Sequence, residues 1–155
     1  MKITLAGYHT IMMRHAGPTT HILQMKKHLE KLGIKIKLMD IWKSRKEILN
    51  TDLFHLHSSN IGIYDLANYL HALNTKFVVR PIFFTRRSAP ILRLTCKTDS
   101  FLRNFTRGVW STYGITGDIC NWAQQVLPNT SDEANLIIEG FGIPKNKITI
   151  IPNGV

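Results

Sequence analysis

The side chains with most chemical potential fall in four short runs. His55-Leu56-His57 sets two imidazoles two residues apart, so an extended chain presents both on one face. Neutral imidazoles bind metal ions or carry protons. No carboxylate or cysteine completes a ligand set, and a third ligand would have to come from His9 or His15. No metal is therefore expected, and hydrogen bonding at a strand end is the plainer role for the pair. Ala16-Gly17-Pro18-Thr19-Thr20-His21 joins small residues to a helix start. Such a junction lets a ligand approach the backbone, and free N–H groups with the helix dipole favour an anion such as phosphate. It also reads as an ordinary strand-to-helix turn. Arg80 stands just before Pro81, where a strand should end. An arginine there suits an anion contact but makes a poor general base, because it stays charged. Asn129-Thr130-Ser131 offers amide and hydroxyl groups to a ligand, or Thr130 or Ser131 as a cap for the helix that follows.

These runs need elements to position them. Lys2–Gly7 reads as a buried strand, Ile34–Leu38 as a strand near an edge, and Asp52–His57 and Lys76–Val79 as two more. Val126-Leu127 and Ile148–Ile151 read as two short ones. Ile22, Met25, Leu29 and Leu32 recur at helical spacing, with Pro18 in the first turn and Gly33 as the stop. Ile63–Leu73 and Asp132–Glu139 are helical as well. Strands separated by helices imply βαβ units and a parallel sheet. Ligands in such sheets lie beyond the strand C-termini. That rule selects Tyr8–Gly17, His57–Asn60, Arg80–Arg87 and Pro128–Ser131.

Composition bounds the possibilities. The 155 residues suit one domain, and 44% hydrophobic content excludes a disordered tail. No run approaches the roughly 20 apolar residues that span a bilayer. Cys96 and Cys120 are too few for a disulfide framework, so a reducing cytoplasm is expected. The net charge of +10 predicts an anionic partner. Residues 1–50 hold ten basic and three acidic side chains, and residues 76–107 hold eight and one. Residues 108–155 are mildly acidic, with two basic and four acidic side chains. The sequence has no G-x-G-x-x-G after its first strand, no G-x-x-x-x-G-K-[ST] and no G-x-S-x-G.

Ile91–Trp110 is the second basic feature. On a helix, Ile91, Leu94, Phe101, Leu102, Phe105 and Val109 share one face, while Arg93, Lys97, Arg103 and Arg107 gather roughly opposite, after Arg86 and Arg87. The apolar face could pack on the sheet and leave the basic one solvated. The segment could equally lie on an anionic membrane or hold a phosphate-bearing acceptor. Nucleic acid ranks behind these, because no helix-turn-helix, RNA-recognition signature or aromatic platform is visible.

The order of segments resembles the N-terminal, acceptor-side domain of group 1 (family 4) retaining glycosyltransferases of the GT-B fold. The opening Lys-rich strand, the Ala16-Gly17 loop and the helix from His21 to Leu32 follow that pattern. Asp52-Leu53-Phe54-His55-Leu56-His57-Ser58 matches the family's third strand, and Leu127–Glu133 looks like its late strand-to-helix junction. The most specific match is Gly142-Ile143-Pro144-Lys145-Asn146-Lys147-Ile148-Thr149-Ile150-Ile151-Pro152-Asn153-Gly154-Val155. Similarity is strong over 126–155, good over 1–60 and poor over 82–125.

The resemblance implies an α/β, Rossmann-like three-layer sandwich with a mainly parallel sheet. Residues 1–155 would be one domain, ending at the hinge to an absent C-terminal domain that binds most of a nucleotide-sugar donor. It implies hexosyl or related transfer to a sugar, polysaccharide or lipid-linked acceptor, without a cofactor, on the cytoplasmic face of a membrane. The isolated domain should be inactive. Donor and acceptor contacts would come from Ala16, Gly17, Pro18, His57, Ser58, Arg80, Asn129, Thr130 and Ser131. Arg86, Arg87, Arg93, Lys97, Arg103 and Arg107 would meet the membrane or an anion. The family often places a histidine after the fourth strand, where this chain has Arg80-Pro81-Ile82-Phe83, so no catalytic residue is assigned. A polyanion-binding module and a catalytically degenerate structural domain are the alternatives.

Overall fold

The computed structural model describes residues 1–13, 17–103, 105 and 111–153. Five strands, β1 (Lys2–Gly7), β2 (Lys35–Leu38), β3 (Leu53–His57), β4 (Phe77–Arg80) and β5 (Gln125–Val126), form one sheet. Their order is β2-β1-β3-β4-β5, and every pairing is parallel. Among the described residues six α-helices connect and cover them: α1 (Gly17–Lys31), α2 (Arg45–Ile48), α3 (Ile61–Ala72), α4 (Ala89–Arg103), α5 (Thr112–Trp122) and α6 (Ser131–Phe141). The expected α/β class holds. The chain runs outward from β1 to β2, then returns past β1 to β3. The crevice between β1 and β3 is thus the place where strand order reverses, and all strand C-termini share one edge.

Alternation along the strands divides the core. Phe54, Leu56, Phe77 and Val79 point to one face, with Ile63 and Leu70 of α3, Ile115 and Ile119 of α5 and Ile137 of α6. Ile3 and Leu5 point to the other, with Ile22 of α1 and Ile36 of β2. Parallel register then puts His55 beside Leu5 and Val78, and His57 beside Gly7 and Arg80, all on the α1 face.

Local signals explain most boundaries. Gly33 takes a positive φ of 77° past the end of α1, and Gly142 takes 71° past α6. Thr130 caps α6 by accepting the Glu133 N–H at 3.1 Å. Thr19, in the first turn of α1, is buried, and its hydroxyl donates to the Ile11 carbonyl.

Three expectations need correction. Leu32 lies beyond α1 and is exposed, so the buried stripe of that helix stops short of it. Ile148–Ile151 is not a strand. It touches β5 through one isolated bridge, Ile148 to Val126, and through Thr149 and Ile151 N–H groups that donate to Val126 and Pro128. Finally, of the alternatives left open for Ile91–Trp110, packing of the apolar row on the sheet is not the one seen. α4 lies in an outer layer on α5 and α6, with Leu92 against Gly140 and Asp99 against Gly114.

Candidate active site: two cavities along the strand ends

On the α1 side a cavity of about 890 Å³ opens between the first turns of α1 and the segment Ile151–Asn153. Gly17, Pro18, Thr20 and His21 line it from α1, and Arg80 and Asn129 line its floor. Arg80 is only 2% exposed. Its Nε donates to Asn129 Oδ1 at 2.6 Å, and its Nη2 donates to the Ile151 carbonyl at 2.9 Å and to Asn153 Oδ1 at 2.8 Å. Nη2 also reaches Asn129. Nη1 lies 2.8 Å from His21 Nε2. A guanidinium has no acceptor, so this contact requires His21 to be neutral with Nε2 unprotonated. Burial, then the neighbouring charge of Arg80, holds the His21 pKa below its usual value. Arg80 thus clasps Asn129 and the exit segment to α1. Its charge supplies a positive field, although most of its donors are already occupied.

Two more imidazoles lie beneath. The His57 ring is 5.6 Å from that of His21 and stacks on His55 at 4.4 Å. Burial is the main cause that pushes His55 down to about 4 and His57 to about 2, aided by the neighbouring bases. Both therefore stay neutral at physiological pH. Their Nε2 atoms have no hydrogen-bond partner among the described residues. No group of three metal-ligating side chains suited to an ion occurs among those residues either.

On the opposite face a second cavity of about 590 Å³ lies between the ends of β3 and β4 and the start of α5. Ser58, Ser59, Asn60, Thr112, Tyr113 and Thr116 supply polar groups, and Phe83 and Phe84 supply aromatic walls. Among the described residues that line it, none is charged. The α5 N-terminus would attract an anion, but the protein fills that place itself. Asp99, buried and paired with Arg103 at 3.2 Å, accepts the Ser111 N–H at 2.9 Å. Inside the cavity Ser59 donates to the Pro81 carbonyl, Thr116 donates to the Ser59 carbonyl, and Thr85 and Tyr113 share a bond of 3.2 Å. Such a wall suits an uncharged, hydroxyl-rich ligand with an apolar ring face.

Ile82 lines both cavities. It has a φ of +53°, and Ser58 across the ladder has +107°. Left-handed backbone is rare for non-glycine residues, and rarer for a β-branched one. Hydrogen bonds from Ser58 N–H to Arg80 and from Ser59 N–H to Pro81 hold these two turns side by side. Strain of this kind concentrates at functional sites.

The residues expected from sequence separate accordingly. Gly17, Pro18, Arg80 and Asn129 converge on the first cavity; His57 lies beneath it and Ser58 lines the second. Thr130 and Ser131 line neither. Ala16 and Arg107 lie outside the described residues, as do His15, Val109 and Gly154-Val155. Arg86, Arg87, Arg93 and Lys97 are exposed. Arg103 is not free for a partner surface, because it pairs inward with Asp99 and Asp118. Sequence reading missed His21 and Asn153 as members of the first cavity and Tyr113 and Thr116 of the second. It also missed Glu133, which is buried and accepts N–H groups from both Phe83 and Asn129 at 2.7 Å. Its carboxylate joins the loop after β4 to the loop after β5. Only its place in a capping pattern marked it in the sequence.

A parallel α/β sheet with clefts along its strand ends is a layout for binding and transferring groups. The family model for Glycosyltransferase Family 4 matches residues 15–155, and the chain belongs to that family. Glycosyltransferase character follows. No curated protein sequence matches the chain. Among solved structures it is similar to a D-2-hydroxyisocaproate dehydrogenase at 8% identity and a TM-score of 0.32. That likeness covers 98% of this chain and 58% of the dehydrogenase, so the chain spans little more than half its length.

Proposed function

We propose that the chain is the acceptor-side domain of a retaining GT-B glycosyltransferase, taking a sugar from a nucleotide-sugar donor. The pairing of a cationic and an uncharged cavity across Ile82 carries this reading. Transfer from a nucleotide sugar builds negative charge on the departing diphosphate, and the acceptor hydroxyl must sit close to the sugar carbon. The first cavity supports the charge through the first-turn N–H groups of α1 and the field of Arg80. The second holds the acceptor by its hydroxyls and ring face. The acceptor is a sugar, free in a polysaccharide or linked to lipid, and the reaction takes place in the cytoplasm, at the inner membrane surface when the acceptor is a lipid.

The segment Ile151–Asn153, clasped by Arg80, leads to a second domain that grips most of the donor. Half of a cleft leaves the diphosphate short of contacts, so this chain alone transfers nothing. The test is nucleotide release from a panel of nucleotide sugars. It compares the 155-residue chain with the complete reading frame that encodes it. Turnover by the complete product alone supports the reading. Equal turnover by the chain alone, or a frame without a second nucleotide-binding domain, overturns it.

A further inference from the structure

α4 turns its narrow side inward through Leu92, Asp99 and Arg103, towards α5 and α6, and its opposite arc is exposed. That arc carries Ile91, Leu94 and Phe101, and Phe105 stands just past the helix end; Leu94 is 67%, Phe101 62% and Phe105 74% exposed. The Phe101 and Phe105 rings are tilted at 54° to each other, their centres 5.2 Å apart. In the loop after β4, Phe84 is 83% exposed and lines the second cavity with Thr95 of α4. Arg93 and Lys97 border the arc, and Arg86 and Arg87 precede the helix, all four exposed. The helix has one acid, Asp99, and it is buried and paired.

We propose that this surface docks on an anionic lipid bilayer. The apolar row sinks into the headgroup boundary, the four cations sit on lipid phosphates, and the second cavity opens beside the membrane. The docking does not depend on glycosyl transfer; only the delivery of a lipid-borne acceptor to that cavity rests on the function proposed above. A second copy is a poor occupant, because each face sets four cations against one carboxylate, Glu139 beside Arg93 and Lys97, and two such faces would repel on a chain of net charge +10. Nucleic acid would use the cations but leave the aliphatic row in water.

Flotation of the chain with vesicles tests the proposal. One set is phosphatidylcholine alone, the other contains phosphatidylglycerol. Binding is expected to the second set, weakened but not abolished by salt, because apolar contact persists when charges are screened. Leu94→Glu and Phe101→Glu should each lower the partition constant about tenfold, with melting temperature unchanged since both side chains face solvent. Arg93→Glu with Lys97→Glu should lower binding at low salt most. No binding to anionic vesicles, or equal binding by Leu94→Glu, overturns the docking. Equal binding of the native chain to neutral vesicles overturns the role of the cations. Self-association that Leu94→Glu abolishes, or tight binding to a single-stranded oligonucleotide without vesicle binding, assigns the face to another partner. A complete enzyme that floats yet ignores lipid-borne acceptors removes only the delivery step.

Discussion

The cavity under α1 and the cavity under α5 share one sheet edge and one residue, Ile82, yet their chemistry is opposite. The first is organised from inside by a buried guanidinium and three imidazoles. The second has hydroxyl and aromatic walls, and its helix N-terminus is already occupied by Asp99. Strand alternation makes the difference: His55, His57 and Arg80 project to the α1 face, while the neighbouring loops carry uncharged residues to the other. A parallel sheet edge can therefore offer an anion-favouring pocket and a neutral one a few residues apart. On the function proposed above, the two correspond to departing diphosphate and acceptor.

The largest expected effect breaks the first cavity. Arg80→Ala leaves Asn129, Asn153 and the Ile151 carbonyl without their shared donor, and should cost about 4 kcal/mol in urea unfolding. Hydrogen exchange at the Ile151 amide should accelerate with it. Arg80→Lys should recover little, because an ammonium cannot reproduce the fork. If Arg80→Ala unfolds like the native chain, the α1 cavity is not built on this residue and the contrast loses its basis.

The next effect is acid lability confined to the same side. His55 and His57 are neutral when folded and ordinary when unfolded, so below pH 6.5 the unfolded chain binds protons that the native chain refuses. Stability is complete above that pH and falls as pH drops towards about 4. For His55, 8% exposed, the loss is on the order of 3 kcal/mol. Unfolding midpoints measured across that window should slope downward into acid, and His55→Leu should flatten the slope.

Much of this was legible in the sequence, for identifiable reasons. Apolar alternation and the Gly33 stop depend on local geometry, so the central strands and α1, α3 and α6 were found. α5 was not. Its run Tyr113-Gly114-Ile115-Thr116-Gly117 has low helix propensity, and its glycines exist to admit α4, with Asp99 and Cys96 close beside them. Missing α5 meant missing Tyr113 and Thr116. α4 was legible as an amphipathic helix, but hydrophobicity normally predicts burial, and here the helix buries its Leu92–Asp99 side instead. Arg80 was visible as a charge, but its partners, 49 to 73 residues away, were not.

A smaller perturbation addresses the second cavity alone. A Cβ at Gly114 would stand 1.8 Å from Asp99 Oδ2 and 2.7 Å from its Cγ. Asp99 cannot retreat without leaving Ser111 and Arg103, so Gly114→Ala should cost about 2 kcal/mol by overpacking. The acid slope should survive, since the imidazoles lie on the other face. Loss of both together in pH-dependent unfolding would mean that the two sides are one cooperative structure rather than two independently built pockets.

The smallest effect tests the partition itself, and its sign is unusual. Ile82 adopts φ +53° while 43% exposed, so it carries backbone strain and recovers little by burial. Glycine accepts that backbone freely but gives the unfolded chain more entropy. Strain of roughly 1–3 kcal/mol against an entropy cost of roughly 0.5–1 leaves Ile82→Gly stabilising by about 1 kcal/mol. Removing the side chain also removes the wall that both cavities share. In the complete enzyme, transfer to acceptor should therefore fall relative to hydrolysis of the donor, while the melting temperature rises. A variant that is more stable and transfers as well would show that the strained residue serves only the turn. A variant that is less stable would show that Ile82 holds its backbone by packing, and that the two cavities are separated by the fold rather than by one side chain.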